Sequence, residues 1–119
     1  MATRKITIDV VSDVVCPWCF LGRKRLEAAL AMVPDVEAEV RWRPFQLDPT
    51  LPPQGKDRQT YMREKFGTGG KIDDIHKQLP QLGEENGIVF DFDAIARAPN
   101  TLDAHRVIHW AAQALSLIH

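Results

Sequence analysis

The 119-residue sequence has no apolar run approaching the roughly 18–20 residues that a helix needs to cross a bilayer. It shows no leader pattern either, because Ile6 to Val15 is interrupted by Asp9, Ser12 and Asp13. These absences make the cytoplasm the expected location, with no membrane as partner. An excess of one charge is also missing: 15 basic residues face 16 acidic ones, so nothing calls for nucleic acid or an anionic surface as partner. Cysteine is scarce. Cys16 and Cys19 are the two present, and a pair so close in sequence cannot be the framework of a disulfide-stapled secreted domain. There are no repeats and no low-complexity tracts. Gly67-Thr68-Gly69-Gly70 lacks the Lys-Ser/Thr of a phosphate loop and reads as a turn between helices. Asp91 and Asp93 lack the further ligands of a calcium loop. What remains is an ordinary globular balance, 45% hydrophobic and 26% charged, enough for a modest core.

Alternation of Ile6, Ile8 and Val10 with Thr7 and Asp9 predicts a strand over Lys5–Val11. Pro17 suits the first helical position, where its missing N–H costs nothing. A helix is predicted from Trp18 to about Met32, with Leu26 and Leu30 on one face, and Pro34-Asp35 ends it. Val36 to Phe45 alternates again and reads as a second strand. The helical connection makes the two strands a parallel pair. Pro49, Pro52 and Pro53 mark Asp48–Gly55 as a loop. Asp57 is expected to cap a short helix over Arg58–Phe66. A third helix is predicted from about Ile72 to Asn86, with Ile75, Leu79 and Leu82 on one side and a kink or break at Pro80. Phe90 to Asp93 reads as extended or turn-like. Asn100 is expected to cap a last helix running to the end of the chain, with Asp103 at its third position. Phe20, Trp42, Phe45 and Trp110 are expected in the core, whereas Trp18 should lie near the surface.

Cys16-Pro17-Trp18-Cys19 carries the chemistry. Disulfide exchange needs a thiolate attacker and a second thiol to resolve the mixed disulfide. The N–H groups and dipole of a helix start favour negative charge on the first sulfur, and one helical turn brings the second sulfur beside it. Cys16 is therefore the expected nucleophile and Cys19 the resolving thiol. Pro17 fixes the turn, and Trp18 offers an apolar surface to a substrate. Two blander readings compete. The cysteines could be inert core residues, or Cys16, Cys19, His105 and His109 could hold zinc, although about 85 residues separate the two halves where a finger has roughly a dozen. The position of the pair, after a β-rich run and at a proline-marked helix start, favours redox chemistry and no metal.

The run Ser12-Asp13-Val14-Val15-Cys16-Pro17-Trp18-Cys19-Phe20-Leu21-Gly22 after the strand Ile6–Val11 resembles the DsbA-like branch of the thioredoxin superfamily. More narrowly, it is similar to FrnE-type dithiol–disulfide oxidoreductases, relatives of 2-hydroxychromene-2-carboxylate isomerases and kappa-class glutathione transferases. Trp42-Arg43-Pro44-Phe45-Gln46-Leu47-Asp48-Pro49 and Pro99-Asn100-Thr101-Leu102-Asp103-Ala104-His105-Arg106 fit the same branch in the same order. The resemblance implies an α/β fold: a thioredoxin-like β-α-β segment over residues 1–56 carrying the cysteines, and a helical insertion region of the same domain over 57–119. It also implies that Asn100, His105 and Arg106 help shape a substrate groove, against a simpler reading of Asn100 as a helix cap and of His105 and Arg106 as solvated charges. The family's fold continues into further strands and a proline loop, so the resemblance covers its N-terminal half and implies truncation before those strands.

Cysteine at both motif positions places the expectation on the oxidoreductase side, acting on protein or small-molecule thiols and disulfides without a cofactor. The isomerases and transferases of the branch generally carry serine in place of Cys16 and use glutathione, which stays open as an alternative ligand and activity. A redox-silent interaction module is the non-enzymatic alternative. A two-stranded sheet with open edges is marginal alone, and association into a homo-oligomer with exchanged helices would cover it.

Overall fold

A computed structural model describes residues 4–67 and 70–118, with the side chains of 71–76 and 116–118 outside the description. The chain runs β1 (Arg4–Ser12), α1 (Pro17–Ala31), β2 (Val36–Pro44), β3 (Lys56–Asp57), α2 (Arg58–Phe66), α3 (Lys71–Glu85), a 3-10 turn (Phe92–Ala94), β4 (Arg97–Ala98) and α4 (Leu102–Ile118). β1 and β2 are parallel, in register from Arg4 opposite Val36 to Ser12 opposite Pro44. This is the β-α-β unit that the alternating strands and the intervening helix predict. Asp57 caps α2 as expected, its carboxylate accepting from the Thr60 N–H at 3.0 Å. Thr68 and Gly69 of the expected inter-helix turn lie outside the described residues.

Of the kink or break expected at Pro80, the break does not occur: α3 is one helix from Lys71 to Glu85. The proline forfeits a single helical bond, while the neighbouring Leu79 is fully buried and anchors that side; the side chain of Ile75, expected on the same face, lies outside the description. A second, antiparallel sheet joins Lys56 to Ala98 and Asp57 to Arg97, and two-residue strands carry no periodicity to foresee. The expected aromatic core is not a core. Phe20, Trp42, Phe45 and Trp110 are 45, 42, 50 and 60% exposed.

The reason is architectural. Two strands and one flanking helix cannot cover both faces of the sheet, so the buried apolar set among the described residues is small: Leu21, Leu51, Leu79 and Ile88. α1 packs on α3, and α2 packs on α3 and on the β3–β4 ribbon. α4 is buried at its start, where Thr101 and His105 sit, while Val107, Ile108, Trp110 and Leu115 farther along are exposed. The Cα radius of gyration, 17.1 Å, exceeds the about 13.5 Å of a compact domain this long.

The β3–β4 ribbon depends on Gly55. Its φ is +75°, its N–H bonds the Pro52 carbonyl at 2.8 Å, and a Cβ there would meet the Ala98 carbonyl oxygen at 2.7 Å. Gly87, just past the end of α3, also has positive φ, +77°, but has open space around it. Gly55→Ala should therefore destabilise by about 2–4 kcal/mol, the sum of left-handed strain and a backbone clash, against about 1 kcal/mol for Gly87→Ala. Chemical denaturation of the two variants measures the difference; equal losses would remove the clash from the account.

Candidate redox site

β1 delivers the chain to a turn, and the turn delivers it to α1. The Cys16 N–H bonds the Asp13 carbonyl at 3.3 Å, and the Cys16 carbonyl accepts from Cys19 N–H at 3.1 Å and Phe20 N–H at 3.3 Å. Cys16 is the cap residue, with extended backbone at φ −91° and ψ 111°, and Pro17 follows as the first helical residue. Both cysteines are free thiols, each partly buried, and the Cys19 thiol lies close enough to act on that of Cys16. Geometrically the pair is what the spacing predicts. Its electrostatics differ from expectation: burial pushes the Cys16 thiol up and the Cys19 thiol adds to this, outweighing the N–H groups of Cys19 and Trp18 that pull it down. The helix start is present, but it does not yield an acidic thiol.

Cys16, Pro17 and Trp18 line a cleft of about 450 Å³ between this turn and the α2–α3 side of the molecule, and Cys19 is not among its lining residues. Apolar side chains dominate the walls, including Leu51, Phe66, Phe90 and Phe92. Phe90 stacks on Phe92 at 5.2 Å and meets the edge of Phe20 at 6.2 Å. Arg58 and Lys65 also line it. The Arg58 guanidinium lies 5.7 Å from the Phe92 ring centre, and partial burial pulls its pKa below the usual value against the opposing field of Asp93.

Behind the turn lies a residue that enters the sequence reading only as a polar interruption and as one letter of the block around the cysteines. Asp13 is 3% exposed. Its carboxylate accepts from Val14 N–H and Leu47 N–H, both at 2.8 Å, from the Thr101 hydroxyl, and lies 3.0 Å from His105 Nε2. Burial opposes its charge, yet the Leu47 N–H, Thr101, His105 and the Val14 N–H together hold the carboxyl below its ordinary value. An Asp directly after a strand and three residues ahead of a helix cap is a turn-former by type, and that was the available signal. Nothing in the sequence pointed to its burial.

The Asn100–Arg106 segment takes a different place from the one expected. His105 is not a solvated charge: it is 9% exposed, with Nε2 3.2 Å from the Phe45 carbonyl as well as beside Asp13. Asn100 caps from one residue further out than expected. Its Oδ1 accepts from Leu102 N–H at 3.0 Å and its Nδ2 donates to the Leu51 carbonyl at 2.7 Å, while the first helical bond is His105 N–H to Thr101 carbonyl. Asp103 is thus the second residue of α4, not the third. Arg106 is exposed and pairs with Asp103 at 2.9 Å. None of Asn100, His105 and Arg106 lines the cleft; the first two tie α4 to the segment after β2. The zinc arrangement does not assemble: among the described residues no three His, Cys, Asp or Glu side chains come together as a metal cluster.

Asp13→Ala would strand two buried N–H groups and His105, and should cost about 3–5 kcal/mol. The fold lowers the Asp13 pKa, so the stability that its charge contributes is present above the unfolded value of about 4 and is lost as pH falls through the lower folded value. Thermal unfolding followed from pH 6 to pH 3 should therefore show a shallower acid loss in Asp13→Asn than in the unchanged chain. Parallel curves would mean that Asp13 is not the titrating anchor.

The DSBA-like thioredoxin domain family matches residues 7–117. The chain is 28% identical over 112 residues to the uncharacterised protein YwbO of Bacillus subtilis, covering 91% of this chain and 48% of that protein. In structure it is similar to a crystal structure of a probable DsbA oxidoreductase from Streptomyces coelicolor, with TM-score 0.73 and 28% identity, over 90% of this chain and 47% of the other. The chain thus spans about half the length of these relatives. No helix among the described residues is long and apolar enough to cross a membrane. With a β-α-β start that sets two free thiols at a proline-marked helix cap, and a family match that runs through nearly the whole chain, this protein belongs to the DsbA-like thioredoxin domain family.

Proposed function

We propose that the chain carries the redox half-site of a thiol–disulfide oxidoreductase, acting on protein or small-molecule thiols and disulfides in the cytoplasm with no cofactor. The observation that carries this reading is the asymmetry of the pair. Cys16 lines the cleft, Cys19 does not, and the Cys19 thiol acts on Cys16 from one helical turn away. Cys16 is the nucleophile and Cys19 the resolving thiol. Pro17 and Trp18 present the site to the substrate, while Asn100 and His105 position the segments behind it. Residues 1–56 form the β-α-β part of the domain and 57–119 its helical part, with FrnE-type proteins as the nearest branch by motif.

In the reducing direction the Cys16 thiol gives its proton to solvent, and the thiolate bonds to one sulfur of the substrate disulfide. The other sulfur leaves as a thiolate with the electron pair. Cys19 then attacks the Cys16 sulfur, releasing the second substrate thiolate and leaving the Cys16–Cys19 disulfide. A strongly oxidising pair needs a stabilised Cys16 thiolate, and burial here works against one, which favours the reducing direction.

Cys19→Ser should accumulate a mixed disulfide with substrate at Cys16, read by non-reducing electrophoresis and mass spectrometry, and Cys16→Ser should accumulate none. Trapping that persists in Cys16→Ser would reverse the roles, and no trapping in either variant would remove the activity.

A further inference from the structure

Lys56, on β3, pairs with Glu64 of α2 across the helix start, as surface cations commonly do. Arg58 and Lys65 do not. Among the described residues neither has a carboxylate within ion-pair distance, although Asp93 and Asp48 act on them from farther off. Both lie instead against aromatic rings, Arg58 on Phe92 at 5.7 Å and Lys65 on Tyr61 and Phe66 at 5.6 and 5.7 Å. A ring face orients a cation without neutralising it. Both cations line the same cleft as Cys16.

The two acids of the cleft are already occupied. Asp13 is held by the N–H groups of Val14 and Leu47 and by His105. Asp48 accepts from the Thr50 N–H at 3.0 Å, from the Thr50 hydroxyl, and from Tyr61. A third cation of the cleft, Arg97, donates its Nε to the Gln54 carbonyl at 3.1 Å. The cleft therefore joins a free thiol, stacked aromatic walls and, in Arg58 and Lys65, two cations whose side chains make no hydrogen bond among the described residues. Its geometry selects a substrate body that is planar and apolar, and its charge selects an anion.

We propose that this cleft takes disulfides whose sulfur is borne on an aromatic body carrying a carboxylate, with the body against Trp18 and Phe90 and the carboxylate on Arg58 and Lys65. The inference rests on the thiol–disulfide reading above. The Cys16 proton goes to solvent, a bond forms from Cys16 to the near sulfur, the substrate S–S bond breaks, and the far half leaves as an aryl thiolate with the electron pair. Cys19 then displaces the near half in the same way, so the substrate gains two electrons and the dithiol becomes a disulfide.

The test uses the full chain with Cys19→Ser, so that Cys16 alone reacts. Second-order rates are measured with 5,5′-dithiobis(2-nitrobenzoate), which is anionic, with neutral 2,2′-dithiodipyridine and with cationic cystamine. Each is normalised to 2-mercaptoethanol at the same pH to remove intrinsic reactivity. The anionic probe should be preferred over the neutral one by at least about tenfold, falling with salt. Arg58→Gln with Lys65→Gln should bring the ratio of anionic to neutral rates down towards unity, whatever the change in the neutral rate itself, and Arg58→Lys should retain the preference. A normalised preference near unity, or a variant that slows anionic and neutral probes alike, overturns the inference and leaves the redox reading intact. A Cys16 inert to all three probes overturns both.

Discussion

One buried carboxylate holds the site together. Asp13 gathers the turn ahead of α1, the segment after β2 and the start of α4, through Val14, Leu47, Thr101 and His105. A carboxylate with 3% exposure cannot stay charged without such partners, because an unpaired buried charge costs several kcal/mol. The requirement is mutual. The partners are themselves buried or half-buried polar groups needing an acceptor, so segments far apart in sequence are driven to one point. The same residue's carbonyl accepts the Cys16 N–H, which places the Cys16 thiol directly on this anchor. With so little apolar core behind the site, a polar hub takes over much of the positioning that packing supplies in larger domains.

The cleft in front of Cys16 explains why a helix start does not make this thiol acidic. The N–H groups of Trp18 and Cys19 do face the sulfur, but apolar walls remove water from it, and desolvation of a thiolate outweighs those donors. The consequence is chemical. A less acidic thiol is ionised less often, yet its thiolate is more nucleophilic once formed, and it is a poorer leaving group from its own disulfide. The aromatic walls that dry the cleft also hold Arg58 and Lys65 in place. In the proposed reaction, acidity of the thiol and selection of the substrate thus follow from the same side chains.

The parts of the fold written in local sequence were legible. Period-two alternation gave β1 and β2, Pro17 gave the start of α1, and Asp57 gave the start of α2, because each reports on backbone geometry within a few residues. The cysteine pair was legible for the same reason, and the blocks around Trp42 and Asn100 identified the family. What escaped depends on contacts between distant segments. Asp13 looks like any turn aspartate until Leu47 and His105 arrive from 34 and 92 residues away. His105 looks like a surface histidine until Phe45 and Asp13 enclose it. The aromatic residues failed in the other direction. Trp42 and Trp110 have the composition of a core, but among the described residues no element covers them. The cations of the cleft were invisible because a lysine on an aromatic ring and a lysine in solvent have the same letter.

The central claim is that Cys16 and Cys19 act as one two-electron unit. The most direct test equilibrates the chain in glutathione buffers of graded ratio, quenches with an alkylating agent and weighs the products. The account predicts a single transition in which both thiols disappear together into one intramolecular disulfide, without a stable glutathione adduct. Cysteines that stay alkylatable at every ratio, or that oxidise independently into separate glutathione adducts, would contradict it.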